Sequence, residues 1–117
     1  MPREAMSRES LKRAELQRSA SIFAALGDEV RLGLVARLSR DGPMSIAKLT
    51  SGFEISRQAI TKHLRMMEIS GLVHSTRQGR ESLWALEQRR LADARRHLQT
   101  ISAEWDQTLD RLKRFVE

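Results

Sequence analysis

The stretch that most constrains this chain lies near its centre: Ser56-Arg57-Gln58-Ala59-Ile60-Thr61-Lys62-His63-Leu64-Arg65-Met66-Met67. Ile60, Leu64 and Met67 recur at helical spacing and form one apolar face. Ser56 stands where a helix N-cap is wanted, since its hydroxyl can accept from an orphan N–H of the first turn. Arg57, Gln58, Thr61, Lys62 and Arg65 fall on the other side. An ordinary solvated face mixes signs of charge. This one holds cations, an amide and a hydroxyl, with no carboxylate before Glu68. Such groups suit phosphates and base edges.

The flanking residues extend the pattern. Ser45 can cap a short helix through about Thr50 that buries Ile46 and Leu49, and Ser51-Gly52 makes the turn. Ser51 to Glu54 fits a capping box, but Gly52 and Phe53 are poor opening residues, so Ser56 is preferred. Phe53 and Ile55 then plug the gap between the helices. The longer helix runs to about Ser70, and Gly71 ends it. Leu72 to Leu86 reads as a hairpin around Gln78-Gly79, where Gly79 supplies a positive φ. That turn pairs Arg77 with Arg80, Ser75 with Ser82 and Val73 with Trp84, while Leu72 meets Ala85 and His74 meets Leu83. Two arginines facing each other at a tip repel mildly, which makes sense beside an anion; solvent screening is the plainer account.

Upstream, residues 1 to about 8 are expected to fray. About Glu9 to Leu26 predicts a helix carrying Leu11, Leu16, Ala20, Phe23 and Leu26, broadened by Ile22 and closed by Gly27. A stripe that wide suggests a second burial surface. Asp28 caps a helix to about Arg40, with Val30, Leu34 and Leu38 in one row widened by Leu32 and Val35. Asp28 and Arg31 are spaced to pair. Asp41-Gly42-Pro43 stops it.

Downstream, about Glu87 to Phe115 predicts one long helix. Leu91, Ala94, Leu98, Ile101, Trp105, Leu109, Leu112 and Val116 alternate three- and four-residue steps, close to a coiled-coil repeat. The seam spans roughly 35–40 Å at ~1.5 Å per residue, more than so small a domain can cover. A second copy is the economical partner; folding back on its own domain is the alternative. The expected organisation is a mainly α winged helix-turn-helix with a small β-hairpin. A single domain covers residues 9–117, with the wing at about 72–86 and a dimerisation helix at about 87–116.

Charge and composition narrow the partner. The chain has 117 residues, a net charge of +6 and a sequence pI near 11.0, which favours a polyanion. Between Ser56 and Arg80 stand Arg57, Lys62, Arg65, Arg77 and Arg80 against Glu68 alone, so most of the excess lies there. There is no cysteine, which excludes disulfides and thiolate-bound metal. No long apolar run and no signal-peptide core occur, so a cytoplasmic protein off the membrane is expected.

In order, Leu26-Gly27-Asp28-Glu29-Val30-Arg31-Leu32, the segment Ile55 to Leu64, Ser70-Gly71-Leu72-Val73, Gln78-Gly79-Arg80-Glu81 and Leu83-Trp84-Ala85-Leu86 resemble the ArsR family of bacterial winged-helix regulators. The resemblance covers about Phe23 to Leu86. It implies a homodimer, joined through the flanking helices, that binds an imperfect palindrome in operator DNA and represses transcription. The family's metal sensors differ here. Those using the third helix carry cysteines, where this chain has Ser45-Ile46-Ala47-Lys48-Leu49-Thr50. Those using the last helix carry Asp-x-His and His-x-x-Glu pairs, where this chain has Asp93, His97 and Glu104, lacks the second histidine and adds Arg96. The likeness is to members without a metal site, and no metal or cofactor is expected. An inducer would be a small molecule lodged between the helices, if one exists.

Site roles follow. Ser56 and the first-turn N–H groups suit a phosphate. Gln58, Thr61 and Lys62 are assigned to base edges, and Arg57 and Arg65 to the backbone. His63 either touches phosphate or buttresses the turn. Arg77 and Arg80 at the wing tip reach phosphate or the minor groove. Leu91, Ala94, Leu98, Ile101, Trp105, Leu109 and Leu112 form the dimer seam. A protein-interaction module using the last helix, or an activator, are the other readings. An enzyme is not expected, because no nucleophile elbow, phosphate loop or carboxylate pair emerges.

Overall fold

Four of the five helices start where a short polar side chain takes up an N–H that lacks a helical partner. Ser7 Oγ accepts from the amide of Ser10 at 3.1 Å, Asp28 Oδ2 from Arg31 at 3.0 Å, Ser45 Oγ from Lys48 at 3.3 Å and Ser56 Oγ from Ala59 at 3.1 Å. A computed structural model describes residues 7–116. The helices are α1 (Arg8–Leu26), α2 (Glu29–Asp41), α3 (Ile46–Thr50), α4 (Arg57–Ile69) and α5 (Gln88–Val116). The strands are β1 (Met44–Ser45), β2 (Val73–Gln78) and β3 (Glu81–Leu86), forming one antiparallel sheet in the order β1-β3-β2. The fraying expected of residues 1–8 falls outside the described residues up to position 6. At Ser7 and Arg8 the chain is already capped and helical.

The core gathers one face from each element: Ile22 and Ala25 of α1, Leu34 and Leu38 of α2, Leu49 of α3, Ile60, Leu64 and Met67 of α4, Trp84 and Leu86 of β3 and Ala94 of α5. Phe53 tucks beside α2, because a Cβ at Gly33 would stand 3.2 Å from its Cε1. Leu11, Leu16 and Ala20 of α1 remain exposed, as does Leu32 of α2, so the stripe of α1 that faces the core is Ser19, Ile22 and Ala25, with Phe23 and Leu26 half-buried against it.

Three expectations are corrected. The hairpin pairs Val73 with Leu86, His74 with Ala85, Ser75 with Trp84, Thr76 with Leu83, Arg77 with Ser82 and Gln78 with Glu81. The turn residues are therefore Gly79 and Arg80. Gly79 has φ +61°, and among the described residues only glycines have a positive φ. A turn on Gln78-Gly79 would put Gln78 in the left-handed region, whereas Gly-Arg needs it only at glycine. The slip is two residues per pair, so every side chain keeps its face, but Arg77 and Arg80 no longer oppose each other. Second, the sequence pattern does not predict β1, in which Met44 pairs with Trp84 and Ser45 with Leu83. Third, Asp28 meets Arg31 through the backbone amide, while the Arg31 guanidinium turns to α1.

Candidate nucleic-acid interface

The geometry of the helix pair comes from α2. Arg37 Nη1 donates to the carbonyl of Leu49 at 3.2 Å and also to that of Ser51, closing the end of α3 and fixing the turn into α4. The apolar face of α4 is fully buried at Ile60, Leu64 and Met67. Helical periodicity then leaves Gln58, Lys62 and Arg65 on the far side, and all three are exposed, as is Arg57. The first turn of α4 contains no acidic residue. Its N-terminal dipole and free N–H groups are thus not quenched by a carboxylate of their own.

Three side chains are more engaged than the sequence indicates. Thr61, half-buried, donates its hydroxyl to the Arg57 carbonyl at 2.9 Å. Its proton is spent, and what it offers a ligand is an acceptor lone pair. Arg65 places its guanidinium carbon 5.9 Å from the centroid of the buried Trp84 ring and lies 3.5 Å from Glu68 Oε1. Ser75 Oγ in turn donates to Glu68 Oε2 at 3.4 Å, so the same carboxylate ties α4 to the wing. His63 packs back against the start of α2, with Nδ1 3.5 Å from Arg31 Nη1 and 4.0 Å from Asp28 Oδ2. The amide of Arg31 is the largest cause holding the Asp28 carboxyl below its usual range. Sequence reading missed Arg31 as a partner of His63. Its only signal was the shared Asp28 neighbourhood.

Arg77 on β2 and Arg80 in the turn are exposed at the outer end of the hairpin. The structure therefore brings Ser56, Arg57, Gln58, Thr61, Lys62, His63 and Arg65 onto one helix, and leaves Arg77 and Arg80 on a separate projection.

The second candidate surface is α5. Ala94 is 4% exposed and belongs to the protomer's own core, and Leu91 is half-buried against it. From Leu98 onward the seam is open: Leu98, Ile101, Trp105, Leu109 and Leu112 are 47–61% exposed. The open part of the seam thus begins about two turns later than the sequence periodicity places it, because the first turns of α5 dock on their own domain. His97 lies 2.5 Å through Nδ1 from the buried Ser19 Oγ, and Asp93 pairs with Arg96. No cluster of three or more His, Asp or Glu groups fit for a metal occurs among the described residues. No described helix is long and apolar enough to cross a membrane.

A family model described as a helix-turn-helix domain matches residues 26–76. The chain is similar to the uncharacterized HTH-type transcriptional regulator YuzN of Bacillus subtilis (strain 168), with 39% identity over 66 residues, 51% of this chain and 72% of that protein. It is 36% identical over 59 residues, half of each chain, to the arsenical resistance operon repressor of Escherichia coli (strain K12). Among solved structures, an ArsR-like transcriptional regulator from Rhodococcus sp. RHA1 superposes with a TM-score of 0.73 at 38% identity. It covers 89% of this chain and 97% of that one.

Proposed function

We propose that this chain, which belongs to the ArsR family of winged helix-turn-helix transcriptional regulators and is not an enzyme, works as a homodimeric repressor reading an imperfect palindrome in operator DNA. The observation that carries this reading is the outer face of α4. Gln58, Lys62 and Arg65 stand exposed on a helix whose other face is locked in the core and whose first turn lacks a carboxylate.

In the proposed complex, α4 of each protomer lies in a major groove. Ser56 and the first-turn amides meet a phosphate. Gln58 pairs with adenine and Lys62 with guanine O6 or N7, and Thr61 accepts from a base amino group. Arg57 meets the backbone. Arg65 does so while resting on Trp84. Arg77 and Arg80 reach phosphate or the adjacent minor groove from the wing. The exposed part of the α5 seam, with Leu11 and Leu16 of α1, joins two copies so that their α4 helices fall about one DNA turn, ~34 Å, apart. Repression is supported by the name of the Escherichia coli relative. A small-molecule inducer, if one acts, would enter between the helices of the dimer.

The test is fluorescence anisotropy on the protein's own upstream region and on a scrambled duplex, each across a salt series. The expected result is tight binding to the first with two protomers per duplex. Affinity should fall on the order of 10³ or more between 50 and 200 mM salt. Equal, weak binding to both duplexes would favour a protein-interaction module docking through α5.

A further inference from the structure

The contacts of Arg31 link two helices with different tasks. Its Nε donates to the carbonyl of Ala25 at 2.7 Å. That carbonyl lies in the last turn of α1, where the final four carbonyls lack helical partners and a cation is favourable. The last turn of α1 contains no basic residue of its own, so Arg31 supplies the cation from α2. Held there, the guanidinium directs Nη1 at His63 Nδ1, 3.5 Å away on α4. Guanidinium nitrogens only donate. Asp28 Oδ2, 4.0 Å from His63 Nδ1, is beyond hydrogen-bond reach, so Nδ1 accepts from Arg31 and the imidazole proton lies on Nε2. The His63 side chain keeps 24% of its surface exposed, and no described residue takes up Nε2.

We propose that Arg31 is a positioning residue for the DNA-facing helix. It holds His63 in the tautomer protonated on Nε2, so that His63 offers a phosphate oxygen a hydrogen-bond donor. This rests on the reading that α4 faces DNA, and it resolves the two roles left open for His63: the ring buttresses α2 through Nδ1 and meets the backbone through Nε2. Arg31 is engaged on both sides, through Nε with the Ala25 carbonyl and through Nη1 with His63. A lysine cannot replace it, since one ammonium cannot serve the Ala25 carbonyl and the His63 ring along two fixed directions.

The first measurement needs no DNA. Nitrogen-15 imidazole spectra of the wild-type protein should show His63 protonated on Nε2, and Arg31→Gln should give a mixture of tautomers. A wild-type His63 protonated on Nδ1 overturns the proposal, and this arm stands even where Arg31→Gln fails to fold. The second is a double-mutant cycle on the duplex bound by the wild-type protein. His63→Ala should weaken binding roughly tenfold or more for each protomer, as loss of a hydrogen bond to a charged group does. Arg31→Gln should weaken it similarly with an unchanged salt slope, and the double variant should bind no worse than His63→Ala. Additive losses overturn the role of Arg31 while leaving the DNA reading intact, and so does a salt slope that falls by about 0.9 per protomer in Arg31→Gln. Failure of the wild-type protein to bind any duplex overturns both, whatever the tautomer.

Discussion

At the scale of single residues, the distinction that matters is between side chains free to meet a ligand and those already in use. Gln58 is exposed, and no described residue bonds its amide. Gln58→Ala should lose about 1–3 kcal/mol on the cognate duplex and relax the preference at one base position; binding to random duplex should be unchanged. Competition anisotropy with single-base operator variants checks this, and equal losses on both duplexes would remove Gln58 from base reading. Asp28 yields a pH prediction. Its carboxyl is held below the usual range chiefly by the Arg31 amide, so folding favours the ionised form. That contribution is complete above about pH 4, the ordinary aspartate range, and is lost as pH falls through the lower folded value. Asp28→Asn keeps a capping side chain that does not titrate. Thermal unfolding between pH 6 and 2 should fall more steeply for the wild type than for the variant.

At the scale of elements, the wing is a lever whose tip is set by one glycine. Because Gly79 alone in this turn carries a positive φ, Arg80 sits in the turn and Arg77 in the second pair below it, opposite Ser82. The two guanidinium groups can then reach different phosphates. Arg77→Gln with Arg80→Gln should weaken binding to all duplexes alike and lower the salt slope by about 0.9 for each phosphate no longer neutralised. An unaltered slope would mean that the wing does not touch DNA. The element also shows how one strand depends on another. The two-residue β1 has no alternation to be read and exists because β3 offers it an edge just before the Ser45 cap.

At the scale of the whole molecule, the chain is more extended than its length requires. Its radius of gyration is 18.8 Å, against about 13.5 Å for a compact chain of this length. Of the 29 residues of α5 only Ala94 is buried, and its open seam carries Trp105 at 61% exposure. An apolar row of that length on one helix calls for a partner. Leu109→Glu sits far from the core and the α4 face, so it should leave the fold intact while shifting sedimentation from dimer to monomer. DNA affinity should drop with it, since two linked half-sites bind far more tightly than one. A variant that stays dimeric would move the interface away from this seam.

Periodicity and capping made most of the architecture legible in the sequence. The buried face of α4, the capping roles of Asp28, Ser45 and Ser56, and the length of α5 follow from interactions within four residues, which a linear reading can see. The carboxylate-poor outer face of α4 is local in the same way. What tertiary structure decided lies between elements: the slip of the hairpin by two residues, the use of Leu91 and Ala94 inside the protomer, the resting of Arg65 on Trp84 and the turning of Arg31 from Asp28 to the end of α1. Each depends on which of several equivalent partners comes within about 4 Å. That choice is made by packing among residues distant in the chain, where spacing along the sequence carries no information.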